Sequence, residues 1–318
     1  MNICVIHNEQ VSWSIADVRD GLVYGLRANG HTVTDDRAAA DWFILVNPMF
    51  QTPETIAELR MVAPVAGLMT ETPYDIDREL VCAGLIDGGW THERVSVAEF
   101  QKVNPRFGYL PHAWHPERHG LVTADPNVPA HDVVLVGSGF GERIAWINAM
   151  DWTDIDLGLY GIWHGLGVST HWQRCIKGGI TDNAKAVALY RRATIGLNLY
   201  RTKEGRKWPP APPQNIHAES LSPRSYELAA CGVFQISNYR KEVAEKFGDA
   251  VPIIHQDHTS AELLAEDRAM LLHFLRPELV LDRAARAERT WLNVQQDSWT
   301  ERAATVVANL KEWSTVTV

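Results

Sequence analysis

Short apolar runs alternate with amphipathic stretches along the chain, and each change of period predicts a change of element. In the first part, apolar runs predict strands at 3–6, 42–46, 62–69, 88–91 and 108–110. Between the first two, apolar positions recur at helical spacing from 15 to 28 and stop at Asn29 and Gly30, a helix-ending pair. Strands spaced by helices are typical of a parallel sheet covered on both faces, so we expect residues 1–125 to form one doubly wound α/β domain.

The same alternation starts again after a polar, proline-bearing stretch at 123–130. The pattern there predicts a helix at 143–150 and strands at 132–136, 156–160, 193–199 and 233–236. Residues 126–297 are therefore expected to form a second Rossmann-like domain, and apolar residues at helical spacing in 298–313 predict a terminal helix. Because open parallel sheets bind ligands beyond the carboxyl ends of their strands, we expect the ligand site in the cleft between the domains.

The segment 219–236 carries the strongest chemical signal. Glu219 and Glu227 are separated by seven residues, and a helix start lies between them. Pro223 suits the first turn of that helix, Ser222 is a candidate N-cap, and Gly232 suits the position just past its end. Glu227 is then expected in the first turn, beside unpaired backbone N–H groups. A helix N-terminus that carries Arg224 is suited to a diphosphate, and a nearby carboxylate can accept hydrogen bonds from sugar or ribose hydroxyls.

This segment resembles the E-x7-E motif of GT-B glycosyltransferases, in the CgeB-like or "glycosyl transferases group 1" branch. The resemblance implies that Glu219 contacts the donor sugar, that Glu227 contacts the ribose, and that the loop 220–224 lies against the diphosphate. It also implies two Rossmann-like domains that face a central cleft, with residues 298–318 packed back on the first domain. The residues that it assigns to donor binding in this segment are Ser222, Pro223, Ser225, Tyr226 and Glu227.

A glycine-rich turn follows the first strand of the second domain. Gly137, Ser138, Gly139 and Gly141 stand between that strand and a helix that contains Arg143. The turn lacks the lysine of a P-loop and the spacing of a dinucleotide fingerprint, so an NAD enzyme is not expected. In proteins that resemble this one, such a turn lies near the donor phosphate, with an arginine following it. Gly137, Ser138 and Arg143 are therefore candidate donor contacts, and a simple tight turn is the alternative.

Polar residues also follow the predicted strands of the first domain, at the end that faces the cleft. They include groups able to bind or deprotonate a hydroxyl. These residues are His7, Asn8, Glu9, Asn47, Thr70, Glu71, His92 and Glu93. His112, in a Leu-Pro-His segment similar to one in the same family, either approaches the donor or orders its turn. The candidate catalytic residues are Glu219, Arg224, His112 and Glu71.

Composition and charge narrow the class of protein. The chain has 318 residues, of which 46% are hydrophobic and 22% charged, as expected for a globular protein. Four scattered cysteines without a C-x-x-C pair suit reduced core thiols, and no apolar run approaches the length of a membrane span. No basic region precedes the first apolar stretch, as a secretory signal would require. We expect a soluble cytoplasmic protein.

The formal charge of −9 is unevenly distributed. Up to residue 130 the chain holds 9 Lys and Arg against 17 Asp and Glu, a net charge of −8, whereas the remainder carries −1. A polyanionic acceptor in the first domain is therefore disfavoured, although a local basic patch would permit one. A basic cluster at Arg201, Lys203, Arg206 and Lys207 precedes a proline-rich segment, 208–214; it is either a solvated loop or an attractor for a nucleotide diphosphate.

These observations predict a glycosyltransferase that moves a sugar from a UDP- or GDP-sugar to an acceptor hydroxyl, without a further cofactor. Metal independence and retention of configuration are what the resemblance implies. A phage-type DNA glycosyltransferase acting on hydroxymethylated bases, a nucleotide-sugar epimerase and a nucleotide-sugar-binding protein on the same fold are the alternatives. The donor nucleotide, the acceptor class and the oligomeric state do not follow from the sequence.

Overall fold

The computed structural model describes residues 1–8, 13–180, 182–201 and 217–315. Within these ranges the chain forms two six-stranded sheets in which all the paired strands are parallel. Four positions considered above, Glu9, Lys203, Arg206 and Lys207, lie outside the described residues, as does the proline-rich segment 208–214. The predicted α/β architecture of two parallel sheets is confirmed.

The first sheet has the strand order β2-β1-β3-β4-β5-β6. Its strands are β1 Asn2–His7, β2 Thr32–Val33, β3 Trp42–Val46, β4 Val65–Met69, β5 Gly88–Thr91 and β6 Phe107–Tyr109. Its connecting helices are α1 Trp13–Ala28, α2 Pro53–Arg60, α3 Ile76–Ala83 and α4 Val97–Val103. The order reverses between β1 and β3, which is the switch point of a flavodoxin-like sheet.

The second sheet has the order β12-β11-β10-β7-β8-β9, and its switch point lies between β7 and β10. Its strands are β7 His131–Ser138, β8 Leu157–Ile162, β9 Ile176–Gly178, β10 Ala193–Asn198, β11 Gln235–Asn238 and β12 Ile253–Ile254. The helices of this half are α5 Gly141–Ala149, α6 Asn183–Arg192, α7 Pro223–Ala230, α8 Lys241–Phe247, α9 Ala261–Leu275 and α10 Val280–Asn293, and the last helix is α11 Trp299–Thr315. We call the first sheet with α1–α4 and α11 the first lobe, and the second sheet with α5–α10 the second lobe.

The last helix packs on the first lobe, far from the residues that precede it in sequence. Trp299, Ala303 and Leu310 of α11 are buried in one hydrophobic cluster with α1 and the first sheet. A Cβ atom at Gly21 would lie 2.2 Å from the Trp299 ring, and one at Gly25 would lie 2.0 Å from the Trp299 carbonyl oxygen. The two glycines therefore allow α1 and α11 to approach closely, and the chain crosses between the lobes twice.

The strands with strong apolar runs occur where the sequence predicts them, and three short strands were not predicted. β2, β9 and β12 have only two or three residues each and are poorly buried at one or more positions. Such edge strands leave no periodic signal, because two residues cannot show alternation. All four cysteines are buried and unpaired, as predicted. No helix among the described residues is long and apolar enough to cross a bilayer.

Candidate functional site

Two arginines meet at the switch point of the second sheet. Arg224 lies in the first turn of α7, and Arg143 lies in the first turn of α5. Both guanidinium groups face Gly137 at the end of β7: a Cβ atom there would lie 2.5 Å from Nη2 of Arg224 and 3.5 Å from Nη1 of Arg143. Gly137 has a φ of 153°, so the residue supplies both space and an unusual backbone angle. The predicted donor residues Gly137, Arg143 and Arg224 are therefore close together.

Arg143 is buried, and none of its hydrogen-bond acceptors in the described part of the chain is a carboxylate. Its guanidinium donates to the carbonyl oxygen of Ser138 at 2.8 Å and to that of Leu199. Burial, reinforced by the charge of Arg224, lowers the pKa of Arg143 to about 9. Two like charges held together in a poorly solvated place favour an anion between or beside them.

Arg224 is oriented by a buried amide that sequence reasoning missed. Its Nη1 donates to Oδ1 of Asn198 at 3.2 Å, and its Nε has no hydrogen-bond partner within the described residues. Asn198 ends β10, on the other side of the switch point, and is fully buried. The strand end at 193–199 was predicted, and a polar residue at the end of a buried strand was the available signal.

The helix start at α7 differs from its prediction in two respects. Ser222 occupies the N-cap position, but its side chain does not cap the helix; its hydroxyl lies 3.3 Å from Oδ1 of Asn198. Glu227 is the fifth residue of α7, in the second turn, so it does not lie beside the unpaired N–H groups of the first turn. Pro223 does occupy the first turn, and Gly232 follows the helix with a φ of 66°.

Two further residues of the predicted donor set face the interior of the second lobe. Ser225 accepts a hydrogen bond from Nδ2 of Asn198 at 2.8 Å and contacts the hydroxyl of Tyr200. Tyr226 belongs to a hydrophobic cluster under α7 and α8. Both positions are nearly completely buried, because successive residues of a helix point in different directions and only part of the first turn faces the cleft. They support the site without reaching its surface.

Glu219 is surrounded by cationic groups. One of its oxygens accepts from Nε and Nη2 of Arg94, at 2.9 and 2.7 Å. The other accepts from His217 at 2.9 Å, and Lys241 lies at 3.2 Å. The hydrogen bonds from His217 and Arg94 lower the pKa of Glu219 to about 2, so the carboxylate is ionised at neutral pH. Arg94 belongs to the first lobe and was not predicted.

The backbone beside Glu219 is bound by carboxylates. Glu93 of the first lobe accepts from the N–H groups of Glu219 and Ser220, at 3.1 and 3.2 Å. Glu242 of α8 accepts from the N–H of Leu221 at 2.9 Å. The sequence prediction assigned the loop 220–224 to the diphosphate, but in this structure the N–H groups of its first two residues are already occupied. The part of the loop next to Arg224 remains the candidate contact.

Glu227 lies in a buried polar network between the lobes. Nδ2 of Asn183, at the start of α6, donates to Glu227 at 3.0 Å and to Asp17 of α1 at 2.9 Å. Oδ1 of Asn183 lies 2.8 Å from Nε2 of His119. Burial raises the pKa of Glu227, while Arg224 opposes the shift; burial and the nearby Glu227 raise the pKa of Asp17 to about 7. Asp17 and Asn183 were not predicted, since nothing in their local sequence marks contacts between the lobes.

The first lobe brings Glu71 to the cleft. The Glu71 carboxylate lies 3.3 Å from Nη1 of Arg201, which follows β10 after a short turn. The Arg201 guanidinium also lies 4.0 Å from the ring centroid of Tyr74 and 4.3 Å from that of Phe140, just before α5. The Arg143 guanidinium lies 4.9 Å from the centroid of the same Phe140 ring, so Glu71 and Arg201 lie near the arginines of the switch point.

His112 follows β6 in the first lobe. Its ring stacks on His92 at a centroid distance of 3.6 Å, and its Nδ1 has no hydrogen-bond partner among the described residues. Burial, together with His92 and Arg302, lowers the pKa of His112 well below its usual range, so the ring is neutral.

No group of three or more His, Cys, Asp or Glu side chains within the described ranges is arranged to hold a metal ion. A separate cavity of about 270 Å³ lies at the amino ends of β10 and β11, near Arg191 and Arg283. It is at the opposite end of the second sheet from the switch-point arginines. This cavity is therefore not part of the candidate site.

Comparison with known proteins gives a family and a fold. The family model described as "Glycosyl transferase-like" matches residues 129–308. No match was found among the curated proteins. An α-glucosyltransferase in complex with UDP and a 13-mer DNA containing an HMU base is similar in structure, with a TM-score of 0.64 and 10% identity over 98% of this chain and 99% of that one.

Two other solved structures are similar. AviGT4, a glycosyltransferase involved in avilamycin A biosynthesis, has a TM-score of 0.62 and 13% identity, over 99% of this chain and 98% of its own. The GtfA/B complex has a TM-score of 0.53 and 14% identity; the match covers 86% of this chain but only 57% of that one. These similarities show a GT-B fold.

Proposed function

The chain belongs to the glycosyl transferase-like family, and from this we propose that it transfers a sugar from a nucleotide-sugar donor, a UDP- or GDP-sugar, to an acceptor hydroxyl. The donor binds at the switch point of the second sheet, and the acceptor binds at the carboxyl edge of the first. We further propose that the transfer is metal-independent and retains the anomeric configuration. We also propose that the protein is cytoplasmic, because its cysteines are buried and unpaired, as is usual in a reducing compartment.

The observation that carries this proposal is the pair of arginines at Gly137. Arg143 and Arg224 donate to neutral carbonyl and amide oxygens, and neither donates to a carboxylate among the described residues. Glu142 and Glu227 attract them only at longer range, so the pair lacks a directly bound negative charge there. A nucleoside diphosphate supplies that negative charge. When the bond between the anomeric carbon and the diphosphate breaks, charge grows on the departing oxygen, and two preorganised guanidinium groups stabilise it.

The carboxylates take distinct roles in the proposal. Glu227 accepts hydrogen bonds from the ribose hydroxyls, one turn along α7 from Arg224. Glu219, kept ionised by His217 and Arg94, contacts the donor sugar. Glu71 and His112 lie on the acceptor side, where they orient the attacking hydroxyl. Ser138 and Ser222 complete the donor contacts beside the two arginines, and Pro223 fixes the start of α7 there.

The test is a titration of the protein with UDP, GDP, UMP and uridine in the presence of EDTA. We expect one diphosphate to bind at least 10-fold more tightly than the matching monophosphate, because only the diphosphate spans both arginines. Binding that needs a divalent ion would refute metal independence. Equal affinity for UDP, UMP and uridine, with no affinity for GDP, would refute the diphosphate site.

A second experiment separates transfer from simple binding. Incubation with the tightest-binding nucleotide-sugar releases free nucleotide through slow hydrolysis if the protein is a transferase, and the anomer released is read by NMR. Release of the α-sugar from an α-linked donor supports retention. A protein that binds the nucleotide-sugar but never releases the nucleotide is a binding protein, and one that changes the sugar while it remains attached is an epimerase.

A further inference from the structure

Four polar side chains at the carboxyl edge of the first sheet each carry at least one buried atom that has no hydrogen-bond partner among the described residues. They follow neighbouring strands: Asn47 follows β3, Thr70 follows β4, His92 follows β5, and His112 comes three residues after β6. The atoms without partners among the described residues are Nδ2 and Oδ1 of Asn47, Oγ1 of Thr70, Nε2 of His92 and Nδ1 of His112. An unmade hydrogen bond to a buried polar group is unfavourable, so a concentration of them needs an explanation.

The neighbouring hydroxyls on the same edge are satisfied, so the edge is not uniformly underbonded. Oγ1 of Thr91 accepts from the N–H of Glu93 at 3.1 Å, and Oγ1 of Thr72 donates to Glu79 at 2.5 Å. The unpartnered atoms therefore belong to four particular residues, and each of these residues follows a different one of four adjacent strands.

His92 is held in one tautomer. Its Nδ1 lies 2.6 Å from the carbonyl oxygen of Leu110, which can only accept, so Nδ1 carries the proton. Nε2 is then a bare lone pair that accepts a hydrogen bond. Burial lowers the pKa of His92 to about 4, so Nε2 is unprotonated at neutral pH. The ligand group that this atom needs is a donor such as a hydroxyl.

All four side chains are uncharged, the surrounding lobe is acidic overall, and several of its arginines are ion-paired. Residues up to 130 carry a net charge of −8. Arg94 is bound to Glu219 and Glu245, Arg60 to Asp87, and Arg118 to Asp17 and Asp20. A nucleic-acid acceptor is favoured by a track of available Lys and Arg, and the acidic balance of this lobe opposes one.

The edge is also longer than one hydroxyl requires. Adjacent strands are about 4.8 Å apart, so the row from β3 to β6 extends over roughly 14 Å. An amide, a hydroxyl and two neutral imidazoles spread along that length suit a ligand that presents several hydroxyls.

We propose that Asn47, Thr70, His92 and His112 form the acceptor site, and that the acceptor is an uncharged carbohydrate of two or more sugar units. This inference rests on the proposed transferase function. The acceptor lies beside Glu71, which contacts Arg201 of the second lobe. We do not expect a nucleic acid or a phosphorylated sugar as the acceptor.

The experiment measures binding by saturation-transfer NMR with maltose, cellobiose and lactose, against glucose 6-phosphate and a 13-mer duplex DNA. Two matched variants are compared. Thr70→Val removes an unpartnered hydroxyl, and Thr91→Val removes a partnered one on the next strand. We expect at least one disaccharide to bind, and Thr70→Val to weaken its binding about 5-fold with an unchanged melting temperature. Thr91→Val should lower the melting temperature and leave disaccharide affinity unchanged.

His92→Phe, which preserves the ring stacked on His112, should weaken disaccharide binding further, while His92→Gln should restore part of it. The proposal is overturned if no disaccharide binds, if Thr70→Val leaves the affinity unchanged, or if the DNA or the phosphorylated sugar binds in their place. A parallel UDP titration keeps the two proposals apart. Loss of UDP binding with intact disaccharide binding would remove the donor assignment only.

Discussion

Replacement of Arg224 tests the donor site most directly. Arg224→Ala removes one of the two guanidinium groups at Gly137 and leaves Arg143 in place. A hydrogen bond to a charged group contributes about 1.5–3 kcal/mol, so the affinity for UDP should fall roughly 10- to 150-fold. Turnover should fall by on the order of 10²-fold or more, because the charge on the leaving diphosphate is greatest in the transition state.

The loss is measurable as a reduced stabilisation by ligand. A ligand present at 100 times its Kd stabilises the folded state by about 2.7 kcal/mol, and a 30-fold loss of affinity reduces this to about 0.9 kcal/mol at the same concentration. A thermal melt with and without UDP reports the difference. Arg224→Lys keeps the charge but not the planar fork, so it should fold normally and fall between the wild type and Arg224→Ala.

Arg268→Gln is the matched control. Arg268 donates to the carbonyl oxygens of Asp151 and Thr153, before β8 at the opposite end of the second sheet. It should change the melting temperature slightly and leave the UDP shift intact. If Arg224→Ala lowers the melting temperature of the free protein but keeps the full UDP shift and full activity per folded molecule, Arg224 is a structural residue and the reasoning fails.

Three other predictions concern buried or ion-paired carboxylates. Glu227→Ala should weaken nucleotide-sugar binding, whereas Glu219→Ala should lower kcat more than affinity; wild-type affinity for both by calorimetry would displace the site. Arg94→Gln, which loses the 2.7 Å contact with Glu219, should reduce kcat about 10-fold with little change in UDP affinity. An equal loss of kcat and UDP affinity would contradict the view that Arg94 acts only by orienting Glu219. Burial raises the pKa of Glu79 from 4.5 to about 8, so the folded state binds its proton more tightly and the free energy of unfolding declines as pH rises from about 4.5 to 8. Glu79→Gln should flatten that decline and be the more stable protein at pH 8. If the melting temperatures of the wild type and the variant change with pH in the same way, Glu79 does not cause the decline.

The elements that sequence predicts well are those whose signal is local. β3 was predicted at 42–46 and occurs at Trp42–Val46, because five buried residues in a row make an unmistakable run. The start of α7 at Pro223 and the turn at Gly232 follow from residue chemistry alone. The resemblance assigned Gly137, Arg143 and Arg224 to one site, but it did not predict which of their atoms lie close together.

The contacts between lobes had no local signal. Glu93 could be placed at a strand end, but its hydrogen bonds to the N–H groups of Glu219 and Ser220 join positions 126 and 127 residues apart. Asp17 and Glu227 meet through Asn183 for the same reason. A periodic pattern specifies which face of an element is buried, but not which distant element covers it. The direction of Ser225 and Tyr226 into the interior likewise depends on how α7 is rotated against its neighbours.

The packing of α11 on the first lobe has a consequence for how the protein forms during synthesis. Trp299 and Leu310 complete a cluster that also contains Ile3 and Leu22. The ribosome makes the rest of the first lobe early, yet the part of this cluster that α11 covers, beside α1, stays exposed until α11 emerges. At about 5–20 residues per second, the roughly 190 residues between β6 and α11 delay this by some 10–40 s. All strands and helices of the second lobe are synthesised before α11. The second lobe can therefore complete its fold before the first lobe, although its synthesis begins later.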